Sequence, residues 1–333
     1  MACSCPGGTG EDGMKRSACM LLAMTAAGVT GAAEPPYPVR PVRIVVPFAP
    51  GGSTDIVARI LAQRLSESLG QPVVVENRGG GGTVIGTDTV AKATPDGYTL
   101  LQCTVTMAIN VGLGIKQPYD AQRDFAPITL VSRQSHVLIV HPGVPAKSVA
   151  ELVQLAKAKP GSLNFSSPGN HSGGHLAGEL FKSLAGIRIV HVPYKGTGPA
   201  LTDLMGGQVQ MFIYTTTGSV PYVKGGKVKA LAVSGETRLA ALPDVPTFTE
   251  AGLPGYDVKT WQGVLAPAAT PRAAVDKLSQ EIGHILGMPD VKEKLLGLGT
   301  DPFISTPAQF GELIRTDMVK FARVIKAANM KLE

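Results

Sequence analysis

Strand-like and helix-like segments alternate along this chain, and that alternation limits the fold more than any other feature. Residues 43–46 (RIVV) form a short apolar strand. Residues 55–69 follow, with Ile56, Val57, Ile60, Leu61, Leu65 and Leu69 at helical spacing and Gly70 as a stop. A second strand is predicted at 72–76, and Gly79 to Gly82 open a helix running to about residue 93. A third strand at 98–103 is entered through the turn Pro95-Asp96-Gly97. Three strand–helix units in a row predict a parallel sheet covered by helices.

The pattern then restarts. Helices are predicted at 148–159, 174–185, 199–205 and 220–224, alternating with strands at 163–165, 189–192, 209–214 and 228–233. Two longer extended stretches, 128–140 and 258–265, join the halves, and the tail reads as helices at 272–286, 291–296 and 307–328. The expectation is an α/β protein with two lobes, two sheets flanked by helices, and two crossover strands. Residues 37–136 with 259–333 make one lobe, and 137–258 make the other. Two such lobes enclose a cleft off the carboxyl ends of their strands.

The first 33 residues are set apart as a leader. Lys15 and Arg16 precede a short apolar run at 17–29, and Thr30-Gly31-Ala32-Ala33 supplies small residues for cleavage. The stretch before Met14 does not fit a leader and suggests a spurious upstream start. Of four cysteines, Cys3, Cys5 and Cys19 go with the leader and only Cys103 stays, so no intrachain disulfide forms in the mature chain. No later apolar run reaches about 18 residues, so a periplasmic protein is expected. The net charge of +6 is scattered, without Lys/Arg runs or interleaved aromatics, which argues against a nucleic-acid groove.

The loops carry the chemistry. In VVPFAPGGSTD, residues 45–55, a strand breaks at Pro47, and Gly51 and Gly52 lead into Ser53, Thr54 and Asp55, which suit a helix start. Unsatisfied amides and the partial positive charge of a helix N-terminus make an anion site without Lys or Arg. A carboxylate held there gains roughly 1.5–3 kcal/mol per charge-assisted bond before desolvation. The other half repeats the design in NFSSPGNHSGGHL, residues 164–176, where Ser166, Ser167, Gly169, Asn170 and Ser172 precede a helix. Two such loops facing across a cleft would clamp one carboxylate.

Rival chemistries are weaker. His171, His175 and Glu179 stand at i, i+4 and i+8, a spacing open to zinc, so a zinc-dependent hydrolase or zinc carrier stays as an alternative. Asn170 occupies the place where a serine-hydrolase elbow before Ser172 needs glycine. Gly80 and Gly82 are followed by Ile85 where a dinucleotide loop needs its third glycine. No cofactor is expected.

The stretches RPVRIVVPFAPGGSTDIVAR (40–59), LGQPVVVENRGGGGTVIGTDTVAKATPDGYTLL (69–101), HVPYKGTGPALTDLMGGQVQMF (191–212), DVPTFTEAGLPGY (244–256) and WQGVLAPAATP (261–271) together resemble the Bug family, the periplasmic solute-binding receptors of tripartite tricarboxylate transporters. The likeness covers the chain from about Tyr37. It implies a type II periplasmic-binding-protein fold, no enzymatic activity, a small organic acid as ligand and the membrane permease subunits of a tripartite transporter as partners, with a monomer expected. A signalling receptor without a dedicated permease is the other alternative. By matching position, the resemblance puts Phe48, Ala49, Gly51, Gly52, Thr54 and Asp55 on one jaw, and Ser166, Gly169, Asn170, His171 and Ser172 on the other. The rest of the ligand is expected near Thr104 to Asn110, Tyr194, Lys195, Tyr214 to Thr217 (Thr216 above all), Trp261 and Gln262. Bland roles compete: Trp261 as packing, Lys195 as solvated, the threonines as caps. Two positions depart from the family pattern. His171 stands where glycine is usual, and Gln210 where aspartate is usual.

Overall fold

The computed structural model describes residues 37–256 and 258–327; the expected leader lies outside them. The elements run β1 (Val42–Val46), α1 (Ser53–Leu69), β2 (Val73–Asn77), α2 (Val84–Ala91), β3 (Thr99–Thr104), α3 (Thr106–Gly112), β4 (Phe125–Val140), α4 (Val149–Ala158), β5 (Asn164–Ser167), α5 (Gly173–Ala185) and β6 (Val190–Pro193). They continue as α6 (Thr197–Met205), β7 (Met211–Thr215), α7 (Thr216–Lys224), β8 (Lys229–Val233), β9 (Lys259–Pro267), α8 (Arg272–Gly287), α9 (Pro289–Gly297), β10 (Thr300–Pro302) and α10 (Pro307–Ala327).

In the first half β1 lies parallel to β2 and β3, and β9 lies antiparallel to β3. In the second half β5 lies parallel to β6 and β7. The two sheets meet in β4, which pairs with β9 from Phe125 to Ser135 and with β7 from His136 to Val140. One 16-residue strand therefore runs through both. The sequence separates the two sheets correctly and finds their joining strand, but misses β10, which pairs along the other edge of β4, and reads the short α3 as loop.

Each half has its own core. Leu101, Cys103, Leu265, Phe310, Ile314 and Met318 bring α10 onto β3 and β9. Leu138, Phe165, Phe181, Met211, Ile213 and Phe248 hold α5 against β4, β5 and β7. Burying a side chain such as Phe310 or Phe165 contributes about 1.5–3 kcal/mol, so each sheet is a rigid base for the loops at its carboxyl ends.

Trp261 belongs to this base. Its ring meets Phe310 edge-on, with centroids 5.5 Å apart, and its indole N–H donates to Asp317 Oδ2 at 2.7 Å. Of its two readings the structure favours packing.

Candidate anion-binding cleft

Two strand–turn–helix loops face each other where the halves meet. The first leaves β1 through Pro47 and enters α1, whose N-cap Gly52 supplies no side-chain cap. Ser53 N–H donates to the Tyr214 hydroxyl across the cleft at 2.8 Å, and Ile56 N–H closes the first helical bond to Gly52 O. The amides of Thr54 and Asp55 remain as the donors this terminus offers. The second loop leaves β5 and enters α5 on Ser172, whose Oγ accepts His175 N–H at 3.2 Å and donates to Gly169 O at 2.7 Å.

The jaws touch. Ala49 N–H donates to Lys195 O at 3.3 Å, Thr216 Oγ1 donates to Gly299 O, and the Thr217 and Thr300 hydroxyls bond each other. A Cβ on Gly52 would stand 3.1 Å from Thr197 Oγ1 and 3.5 Å from the Tyr214 hydroxyl. A Cβ on Gly196, at φ 140°, would stand 2.7 Å from Ala49 Cβ. Glycine at both positions lets the two backbones close to contact.

Two cavities lie between the jaws. The inner one, about 40 Å³, is lined by both helix starts (Gly52, Ser53 and Thr54; Ser172, Gly173 and Gly174) and by a polar floor that includes Thr104, Thr106, Gln134, His136, Thr260 and Gln262. It has room for about a carboxylate group. Among the described residues no Asp, Glu, Lys or Arg lines it. The outer cavity, about 420 Å³, is lined by Gly80 to Thr83, Ile115, Gly169 to Ser172, Tyr194 and Lys195, again without a carboxylate side chain among the described residues.

The residues named from sequence divide accordingly. Phe48 and Ser172 line both cavities; Gly52, Thr54, Thr104, Tyr214 and Gln262 line one or the other, as do Gly169, Asn170, His171, Tyr194 and Lys195. Asp55 does not. Its carboxylate accepts Gly51 N–H at 3.0 Å, Arg59 Nε at 2.9 Å and Asn77 Nδ2 at 3.0 Å. Burial opposes its ionisation, but the bonds from Arg59, Gly51 and Asn77 outweigh that and hold its pKa below the usual range. Gly51 faces no cavity and serves this bond. Ala49 and Thr216 bridge the halves rather than line a cavity. Asn110 Nδ2 donates to Gly82 O at 2.9 Å, bracing the outer wall. Ser166 is fully buried with an unpartnered Oγ, yet lines neither cavity.

The departures resolve unequally. Gln210 is structural: its Oε1 accepts Asn164 N–H at 2.9 Å, away from both cavities. His171 sits in the outer cavity at φ 62°. The histidines nearby are held as packing groups. His175 stacks on His191 at 3.7 Å, and its Nδ1 accepts His171 N–H at 3.2 Å. Glu179 is paired with Lys182, and no group of three His, Cys, Asp or Glu suited to a metal occurs among the described residues.

Sequence reasoning missed Gln134, His136, Thr197 and Thr260. Gln134 and His136 stand two apart on one face of β4, and both are buried. A polar pair at strand period inside an apolar crossing strand is the signal that would have found them.

A curled α/β sheet with two opposed helix starts closing on an uncharged polar cavity defines a solute-binding protein. A family model described as "Tripartite tricarboxylate transporter family receptor" matches residues 57–330, and the chain belongs to that family. It is 38% identical to protein BugT of Bordetella pertussis over 299 residues, 89% of this chain and 92% of BugT. Among solved structures it resembles Rpa4515 of R. palustris with adipate, with TM-score 0.86, 36% identity, and 88% and 99% of the two chains covered. It also resembles MatC of Rhodopseudomonas palustris with bound malate, with TM-score 0.83, 34% identity, and 87% and 100% covered.

Proposed function

We propose that this protein is a periplasmic receptor that captures a small organic carboxylate between two hinged lobes and delivers it to the membrane subunits of a tripartite transporter. The observation that carries this reading is the inner cavity, lined by two helix N-termini and sized for one carboxylate. Membership of the receptor family supports the transport role, and the adipate- and malate-bound neighbours support the ligand class. The lobes are the two sheet halves, 37–136 with 259–333 and 137–258, and β4 and the segment entering β9 are the hinge. Closure is coupled to binding because both jaws reach the ligand only when shut. The protein binds without transforming its ligand, and it acts as a monomer.

The outer cavity takes the remainder of the acid. Exposed Lys195 and half-buried His171 line it, with no carboxylate side chain among the described residues of its wall, which suits a second acid group. The test is a thermal melt of the mature protein against mono-, di- and tricarboxylates, with and without chelator. An acid at 100 times its Kd adds about 2.7 kcal/mol of stability. A chelator-insensitive rise with dicarboxylates is expected. No rise with any acid would sink the reading.

A further inference from the structure

The residue of the inner cavity that the carboxylate reading leaves unused is His136. It is 1% exposed and sits where β4 changes partners, with Ser135 opposite Lys259 of β9 and His136 opposite Thr215 of β7. Its ring bridges both crossings. Nδ1 lies 3.3 Å from Val258 O, which also accepts the Ser234 hydroxyl at 2.7 Å. A carbonyl only accepts, so Nδ1 carries the hydrogen and the neutral ring presents a bare lone pair at Nε2. That atom lies 3.8 Å from where a Cβ on Gly173 would sit, at the first residue of α5, and His136 lines the inner cavity.

A carboxylate entering this cavity meets a lone pair from His136, and acceptor against acceptor repels. Among the described residues it also meets no Lys or Arg side chain. Tyr214 is the other titratable group in the lining among the described residues. On the elements packed around His136 the charged groups are engaged elsewhere. Arg133 of β4 lies over the Phe303 ring at 3.8 Å, Lys259 of β9 is 4.0 Å from Glu236, and His175 of α5 stacks on His191.

We propose that His136 is a ligand-contacting residue whose Nε2 takes a proton from solvent as the carboxylate is enclosed, so that this receptor binds its acid together with a proton. The inference rests on the carboxylate reading above. The added proton turns Nε2 into a donor and gives the buried carboxylate its counter-charge, which neutralises the pair inside the closed cleft. Opening the hinge rehydrates both groups and lets the proton leave with the acid.

Burial, against the opposing bond to Val258 O, pushes His136 down to about 4. A carboxylate within about 4–6 Å raises a neighbouring pKa by roughly 1–3 units, so proton uptake belongs to the mildly acidic range.

Calorimetry of adipate and of malate, at pH 6.0 and pH 8.0 in two buffers of different ionisation enthalpy, tests this. Expected at pH 6.0 are uptake of about 0.5 proton or more per ligand and a Kd at least about two-fold tighter than at pH 8.0. Both effects should vanish in His136→Gln, whose amide donates without titrating. The ring ¹⁵N shifts of His136 in the unaltered protein should move from the Nδ1–H pattern to that of an imidazolium on saturation at pH 6.0, a readout independent of how the variant folds. Binding without proton uptake, or uptake that persists in His136→Gln, overturns the proposal and leaves the receptor reading intact. If neither acid binds and the whole carboxylate panel leaves the melt unmoved, both readings fall together.

Discussion

At the first jaw the helix begins on a glycine; at the second it begins on a serine. Gly52 offers no side-chain cap, so the order of the first loop comes from within the helix, where Asp55 reaches back to Gly51 N–H and sideways to Arg59 and Asn77. The second loop is held by neutral groups. Ser172 caps α5, Ser167 Oγ lies 2.7 Å from His191 Nε2, and His175 Nδ1 accepts His171 N–H. Both arrangements leave helix amides at the cavity. The first depends on an ionised carboxylate and the second on unprotonated imidazoles, so acid attacks them in different pH ranges.

The largest effect expected from breaking this contrast is at Asp55. Asp55→Ala removes three bonds to a buried carboxylate, on the order of 2–4 kcal/mol, softened by the solvent around Arg59. Because the folded pKa is depressed, this contribution is complete above the unfolded value near 3.9 and is lost as pH falls through the folded one. Chemical denaturation at pH 7 and pH 3 measures it. If Asp55→Ala abolished carboxylate binding at unchanged stability, Asp55 would be a ligand contact and not a brace.

Second in size is the pH response of the other jaw. Burial, with the charges of His191, His171 and Lys182 adding to it, pushes His175 down to about 3, and burial pushes its partner His191 down to about 4. Folded pKa values below the unfolded value near 6.5 mean that the unfolded chain binds more protons, so stability falls as pH drops below about 6.5. Between pH 7 and pH 5 His175 alone accounts for about 2 kcal/mol. His175→Asn keeps an acceptor for His171 N–H without titrating, so its unfolding free energy should fall less steeply over that range by up to one proton's slope. An unchanged slope would show that the stacked pair does not hold the jaw.

Much of this was legible in the sequence, and what was not has physical reasons. The strand–turn–helix loops announce themselves because Pro, Gly and capping residues mark where backbone is freed for a ligand. The roles inside the loops do not. Asp55 reads as a ligand residue because a carboxylate at a helix start and a carboxylate bracing the loop before it have the same local sequence; only Arg59 one turn on and Asn77 on a neighbouring strand separate them. Thr106 was visible as a residue after the third strand but not as the start of α3, a helix too short for periodicity to reveal. His136 hides in HVLIV, whose apolar run masks its place on the face shared with Gln134.

A smaller effect sharpens the contact between the jaws. Tyr214→Phe removes the hydroxyl that accepts Ser53 N–H at 2.8 Å across the cleft. A neutral hydrogen bond formed only on closure contributes about 1 kcal/mol, so the carboxylate Kd should weaken about five-fold, with the melt of the ligand-free protein little changed. Equal affinity in the variant and the parent would mean that this bond does not distinguish closed from open.

The smallest effect concerns His171, whose φ of 62° is the left-handed region where a side chain is disfavoured. Its backbone N–H still serves the second jaw by donating to His175 Nδ1 at 3.2 Å, and a glycine would keep that bond. Relief of the strain is worth about 1 kcal/mol, and the greater freedom of glycine in the unfolded chain offsets part of it. His171→Gly should therefore raise stability by a few tenths of a kcal/mol while clearing the wall of the outer cavity. If the imidazole only fills space, affinity for long and short dicarboxylates should shift in favour of the long ones. If it also meets the second acid group, affinity for all of them should drop. A series of dicarboxylates of increasing length, melted against parent and variant, separates the two roles.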